Sequence, residues 1–274
     1  MNTATDAPAG ASSDPAAPVN PLLISSVRNA MQVMEVVAAS PEPIGLTRIA
    51  ALSGLGKSAT QRLTHTLHDL GYLDKDPVTR RYQLSVKVLD FAYGFLSKDA
   101  LINGAMLLLM DARERLGQGV NMGRLDGTDF IYTVRMPGHR LSVIGGLIGR
   151  RQPAYCTSGG HAILSLMPRT SVEAILDARP LRPMTPMTVT DRARLLELID
   201  QARQEGFSVT NQQILIGELA VAAPIVDGYG LPIGAVQCSV STADWSFDRV
   251  RAELAPQVLQ TANRISRVPA SHGG

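Results

Sequence analysis

Lys57, Ser58, Thr60, Gln61, Arg62 and His65 fall within nine consecutive positions, and their side-chain types are those that read a DNA duplex. Gln61 can offer adenine a bidentate donor and acceptor pair, Ser58 and His65 can bond to base edges, and Lys57 suits a phosphate. Arg62 lies to the side, where it meets a phosphate or forms an ion pair within the chain. Arg80 and Arg81 follow closely, placed to lie along a phosphate backbone or enter a minor groove. The bland alternatives are a solvated polar helix face and a solvent-exposed arginine pair.

These residues need a frame, and the spacing supplies one. Leu46, Ile49, Ala50 and Leu52 recur at helical intervals, and Ala50 is small where a second helix would cross. Ser53-Gly54-Leu55 reads as the turn, because glycine takes the left-handed conformation at low steric cost. In the next helix Ala59, Leu63, Leu67 and Leu70 share a packing face, leaving Lys57, Ser58, Gln61, Thr64 and His65 on the other. Tyr72-Leu73, then Asp76-Pro77-Val78-Thr79, then Arg80 to Leu84 predict a β-hairpin with a basic tip. Two helices about a tight turn followed by such a wing fit a major groove.

With those motifs in view, the chain resembles the IclR family of bacterial transcriptional regulators. The resemblance rests on Ser26-Val27-Arg28-Asn29-Ala30-Met31, TRIAALSGL, QRLTHTLHDLGYL and RRYQLSVKVL, and continues through GRRQPAYCTSGGHAILS (149–165) and EGFSVTNQQILIGELAVAAPIVDGYGLPIGAVQCSVS (205–241) to the closing helix from Phe247. It implies a multidomain fold, α and α+β: an N-terminal winged helix-turn-helix (25–85), a linker helix (86–99) and a C-terminal GAF-like antiparallel-sheet effector-binding domain (100–267). Residues 1–24 and 268–274 are expected as tails. The implied partners are a near-palindromic double-stranded DNA operator, a small organic acid effector of an aromatic or other degradation pathway, a second copy in a dimer or dimer of dimers, and RNA polymerase. No cofactor and no membrane are implied.

The later segments alternate strands and helices. Gly119–Arg124 and Phe130–Met136 flank Asp126-Gly127, a strong hairpin signal, and Leu219–Val226 pairs with Ile233–Val240 around Asp227-Gly228-Tyr229-Gly230. Helices are expected over 160–167, 171–178, 191–205 and 247–265. Thr157-Ser158-Gly159-Gly160-His161 opens a helix, leaving backbone N–H groups and two hydroxyls beside residues without Cβ, a setting for a carboxylate. The competing reading is a capped helix whose glycines allow close packing. The resemblance favours the ligand, and carries over Tyr155, Ser158 and Gly159 in the loop, Thr210 and Asn211 before the first late strand, Glu218 and Ala220 on it, and Gln237 and Ser239 on the second. Many family members are more acidic around TNQQ and carry Arg-Cys where this chain has Leu219-Ala220. Met122, Tyr132, Ile144 and Tyr155 are candidates for an apolar wall or for core.

Other classes find less support. Cys156 or Ser158 with His161 is the nearest approach to a nucleophile and base, with Asp129, Asp227 or Glu218 to complete a triad, but no elbow or oxyanion motif accompanies them. A non-enzyme is expected; metal or thiol sensing through Cys156, His161 and Cys238 is the alternative, against two cysteines that simply pack. The 274 residues are 45% hydrophobic and 18% charged, enough for two ordinary cores. Residues 25–88 hold eight Lys and Arg against five Asp and Glu, so the excess positive charge sits in the reader. That excess is modest, and affinity is expected to come from two readers in a dimer. No run approaches 18 apolar residues and the Ala/Pro/Ser-rich start lacks a signal-peptide pattern, which suggests a cytoplasmic protein.

Overall fold

A computed structural model describes residues 22–138 and 147–268. The expected tails, apart from 22–24 and 268, and the candidate Ile144 lie outside the described residues. The chain divides into two compact units, 1–93 and 94–274.

In the first unit α1 (Ser25–Ala39), α2 (Leu46–Ser53) and α3 (Lys57–Asp69) precede a two-stranded antiparallel wing of β1 (Leu73–Lys75) and β2 (Tyr82–Leu84). Val33, Val37, Ile44, Ile49, Leu67, Leu73 and Tyr82 form its core. Ile44 exchanges both backbone hydrogen bonds with Tyr82, tying the segment before α2 to the wing. Gly54 ends α2 at φ 67°, the left-handed cap its position predicts.

The helix faces differ from expectation by one step of phase. Ser53 is 3% exposed while Leu52 is 52% exposed, and α3 packs through Thr60, Leu63, Thr64 and Leu67, leaving Ala59 and Leu70 outside. The threonines can go inside because each hydroxyl donates back along the helix, Thr60 Oγ1 to the Gly56 carbonyl at 3.1 Å and Thr64 Oγ1 to the Thr60 carbonyl at 2.9 Å. What remains outward is a compact, methyl-bearing surface. Leu70 caps the helix, so its side chain lies past the packed turns.

The wing tip is held by Asp76, whose Oδ1 accepts from the backbone N–H groups of Val78 and Thr79 and from the Thr79 hydroxyl. Those bonds to the charged form hold the Asp76 carboxyl below its ordinary value. Arg80 takes φ 59°, a left-handed conformation that its Cβ disfavours. A short 3-10 turn, Val86–Val88, leads into α4 (Leu89–Leu96), which has no buried residue and exposes Leu89, Phe91, Tyr93 and Phe95. The division between the units falls inside this helix.

The second unit is a six-stranded antiparallel sheet in the order β5-β4-β3-β8-β7-β6, made of β3 (Gly119–Asp126), β4 (Asp129–Met136), β5 (Arg151–Pro153), β6 (Ser208–Asn211), β7 (Glu218–Val226) and β8 (Pro232–Ser241). Strand alternation gives it two unlike faces. Val120, Met122, Val134, Val221, Val236 and Cys238 point to one, covered by α5 (Ala100–Leu116) and α10 (Ala255–Ser266) through Leu109, Leu116, Val258 and Ile265. Met122 is therefore core. The chain reaches α10 through α9 (Phe247–Arg249) and a π-helical stretch, Val250–Leu254. Against the other face lies α6 (Ser158–Leu164), whose Ala162 and Ile163 meet Phe130, Tyr132, Ala222 and Ala235. Tyr155, Cys156 and Leu164 form a further core with Val172 and Leu176 of α7 (Arg169–Asp177) and Leu195 and Ile199 of α8 (Arg192–Glu205).

Candidate functional site

On the first unit, Lys57, Ser58, Gln61, Arg62 and His65 are all exposed on the outer side of α3, and Arg80 and Arg81 are exposed at the wing. Thr60, and with it Thr64, leaves the reading set: both are fully buried and their hydroxyls are bonded to helix carbonyls, so neither reaches a base. Gly56 at the N-cap offers α3 no side-chain cap, which leaves first-turn N–H groups for solvent or a phosphate.

On the second unit, the uncovered part of the polar sheet face borders a cavity of about 560 Å³. Of the residues expected to bind an effector, Glu218 and Ser239 line it, and Asn121, Arg135 and Trp245 join them without having been anticipated. Simple alternation from Tyr132 puts Arg135 on the opposite face. A bulge defeats that count: the β3–β4 register shifts between Met122 and Gly123, leaving Thr133 unmatched and returning Arg135 to the side of Tyr132. The guanidinium then lies 4.3 Å over the Tyr132 ring.

Tyr132 anchors a buried polar chain. Its hydroxyl is 2.9 Å from Gln152 Oε1 and 3.3 Å from Gln237 Oε1, and Gln237 Nε2 donates to Ser239 Oγ at 3.2 Å. Burial pushes the phenol up to about 12, so it stays a donor at neutral pH. Gln237 thus supports Ser239 from beneath the cavity lining. Burial likewise raises the Glu218 carboxyl above the usual 4.5, while Arg135 and Arg150 oppose the rise. The folded state then binds this proton more tightly than the unfolded chain, so the ionised group costs stability above about pH 4.5, fully so beyond its raised folded value. Glu218→Gln is expected to raise the melting temperature at pH 7 and to lose that gain as the pH falls below about 4.5. A variant that melts below wild type at pH 7 would contradict this sign.

Thr157 Oγ1 accepts from Gly160 N–H at 3.1 Å, the ordinary cap. A Cβ on Gly159 would stand 2.5 Å from the Phe130 ring, and one on Gly160 would stand 2.2 Å from the Ala154 carbonyl oxygen. The two glycines therefore make room for protein, and Gly159 is not open to a ligand on its Cβ side. Ser158 differs, for its hydroxyl is buried without a hydrogen-bond partner. Tyr155 is not in the cavity lining; its hydroxyl donates to the Arg182 carbonyl and accepts from Arg182 N–H. Thr210 and Asn211 form β6, paired with Ala220 and Leu219, and none of these four lines the cavity.

Cys156, His161 and Cys238 are not brought together. The cysteines sit in different cores, and His161 Nε2 faces the Tyr155 carbonyl at 2.6 Å. Burial pushes each thiol up to about 12, and among the described residues no group of three or more His, Cys, Asp or Glu is placed to hold a metal. Iodoacetamide at pH 8 is expected to label neither cysteine in the native protein and both after denaturation. Rapid native labelling would reopen thiol sensing.

A helix-turn-helix with a basic wing, joined to a sheet domain that holds a polar cavity, defines a transcriptional regulator with a separate DNA-reading unit. Comparison with known proteins agrees: a model of the IclR helix-turn-helix domain matches residues 26–77, and one of the C-terminal domain of IclR bacterial transcriptional regulators matches 94–267. The chain belongs to the IclR family of bacterial transcriptional regulators. The Pca regulon regulatory protein of Pseudomonas putida is 29% identical over 246 residues, covering 89% of this chain and 84% of that protein. The p-hydroxybenzoate hydroxylase transcriptional activator of Acinetobacter baylyi is 27% identical, covering 88% of this chain and 90% of its own. A solved transcriptional regulator from Rhodococcus sp. RHA1 superposes with a TM-score of 0.77 at 28% identity, covering 92% of this chain and 100% of that one. Among the described residues no helix is long and apolar enough to cross a membrane.

Proposed function

We propose that the chain is an effector-controlled regulator of catabolic genes that docks α3 and the wing on each half-site of a near-palindromic operator, two copies acting together. A small organic acid in the 560 Å³ cavity is its effector. The observation that carries this reading is Arg135, a cation on the wall of a polar cavity in the unit separate from the reader. The names of two relatives, one tied to the pca regulon and one to p-hydroxybenzoate hydroxylase, favour an aromatic acid. Binding shifts operator affinity or polymerase contact only so far as the acid prefers one placement of the readers over another. The exposed apolar side chains of α4 suit the self-association that brings two readers to one operator.

The test is a thermal-shift screen of organic acids on the full chain, since a ligand bound only to folded protein raises its midpoint. The best hit must change operator affinity in a mobility assay and be recovered chemically unchanged. A hit that stabilises the protein yet leaves operator binding untouched removes the effector role, and a hit that is converted makes the protein an enzyme. On the DNA side, Gln61→Ala is expected to relax preference at one base position by about tenfold. Unaltered sequence preference would take Gln61 out of the groove.

A further inference from the structure

Past Leu67 the reading helix α3 buries no side chain, for His68, Asp69 and Leu70 are all exposed. Its last turn is held to the rest of the reader by His68 Nδ1, 2.8 Å from the Leu73 carbonyl, and by three successive carbonyls that meet donors further along the chain. The Leu70 carbonyl accepts from Lys87 Nζ at 2.8 Å, the Gly71 carbonyl from Ser85 Oγ, and the Tyr72 carbonyl from Ser85 N–H at 3.0 Å. All three donors belong to the short segment that opens into α4. A Cβ on Gly71 would stand 3.5 Å from Lys87 Cδ, so the lysine stem runs close across the glycine, and its ammonium lies 4.7 Å over the Tyr72 ring. Phe91, four residues on, stacks on the same ring at 5.7 Å between centroids and 24° between planes. A cation at this end also matches the negative pole of the helix dipole.

We propose that Lys87 and Phe91 are positioning residues for sequence reading: through Leu70 and Tyr72 they fix the C-terminal end of α3, and with it the angle at which Gln61 and its neighbours meet base edges. This rests on the docking of α3 proposed above. Base readout needs donors and acceptors within hydrogen-bond range of fixed atoms, so a small tilt of the helix loses it. Phosphate contacts made by long, flexible cations tolerate the same tilt. Loosening the clamp therefore costs specific binding and spares non-specific binding. Neither side chain is placed as a reader itself. The Lys87 ammonium is engaged by the Leu70 carbonyl and the Tyr72 ring, and Phe91 carries no polar side-chain group. Phe91 is also 67% exposed, so truncating it removes the stack without opening a core.

The test uses the full chain and a duplex that the wild type selects from a random pool, with a scrambled duplex of the same length and composition as reference. Lys87→Met, which keeps the stem and loses donor and charge, is expected to weaken binding to the selected duplex about tenfold and to the scrambled one by less than about twofold, with the salt slope unmoved. Lys87→Arg, which still donates and still lies over the ring, is expected to restore the wild-type ratio. Phe91→Ala is expected to lower the ratio in the same sense, and Phe91→Tyr to keep it. The two losses are expected to be less than additive in the double variant, since both release one helix end; independent addition overturns the shared clamp. Parallel losses on both duplexes also overturn the proposal, and a salt slope smaller by about 1 then makes Lys87 a phosphate contact. So does a wild-type ratio in Lys87→Met or in Phe91→Ala; if Lys87→Met does not fold, the Phe91→Ala ratio decides alone. Gln61→Ala measured alongside separates the two readings. Unaltered preference there takes α3 itself out of the groove, whereas altered preference there with an unmoved Lys87→Met ratio removes only the clamp.

Discussion

Gly160→Ala is expected to cost about 3 kcal/mol and to lower the melting temperature of the second unit by about 10 °C. The added methyl would stand 2.2 Å from the Ala154 carbonyl oxygen and 2.5 Å from Ala154 Cα, both backbone atoms in a fully buried turn. Relief requires moving α6 away from the residues just before it, which breaks the Thr157 cap and disturbs the core shared with α7 and α8. Gly159→Ala provides the internal comparison, because its obstacle is the Phe130 ring. That clash can be relieved by shortening the side chain, so Phe130→Leu is expected to restore part of the loss from Gly159→Ala and none of that from Gly160→Ala. Differential scanning calorimetry of the four variants decides it. A Gly160→Ala protein melting within 2 °C of wild type would refute the close approach.

The second large effect concerns the wing. Replacing Arg80 and Arg81 together by alanine is expected to weaken binding to every DNA sequence alike, by a factor of about 100 at moderate salt. It is also expected to reduce the slope of log affinity against log salt by about 2 for each bound reader. The reasoning is that both side chains are exposed at a tip whose shape is fixed by Asp76, so their loss removes charge from an otherwise intact hairpin. Titrations of operator and scrambled duplex across a salt series separate the outcomes. A loss confined to the operator would make the arginines base readers, and an unchanged slope would take the wing off the phosphates.

Turns were the most legible part of the sequence, since a left-handed backbone position leaves a residue-level mark. Gly127 at φ 59° and Gly230 at φ 80° close the two hairpins that Asp126-Gly127 and Asp227–Gly230 predict. The three-residue strands β1 and β2 are marked by the turn between them, whereas β5 and β6 at the sheet edges adjoin no such tight hairpin and leave no trace, so Thr210 and Asn211 precede β7 as expected but lie on a strand of their own. Helix phase failed where threonine replaced an aliphatic residue. Thr60 and Thr64 read as polar because the hydroxyl is counted and its intrahelical partner is not.

The site was legible in a similarly uneven way. Glu218 and Ser239 came from the resemblance and do line the cavity, but Arg135 needed the bulge at Thr133, which a count of alternating residues passes over. The Gly159-Gly160 pair shows packing that the sequence does not reveal. A motif with the look of an anion loop is filled from both sides by Phe130 and Ala154, and only the orphaned hydroxyl of Ser158 keeps the polar character the sequence suggested.

Arg80 carries a tension between folding and recognition. Its φ of 59° costs an ordinary side chain about 1–2 kcal/mol, and glycine would occupy the same turn without that penalty. Arg80→Gly therefore makes the hairpin easier to form while removing one of its two tip charges. A wing selected for stability alone would carry glycine here. Stability and charge therefore pull in opposite directions at this one position, and if the wing lies on phosphates, a more thermostable regulator made by relaxing it is expected to be a weaker one.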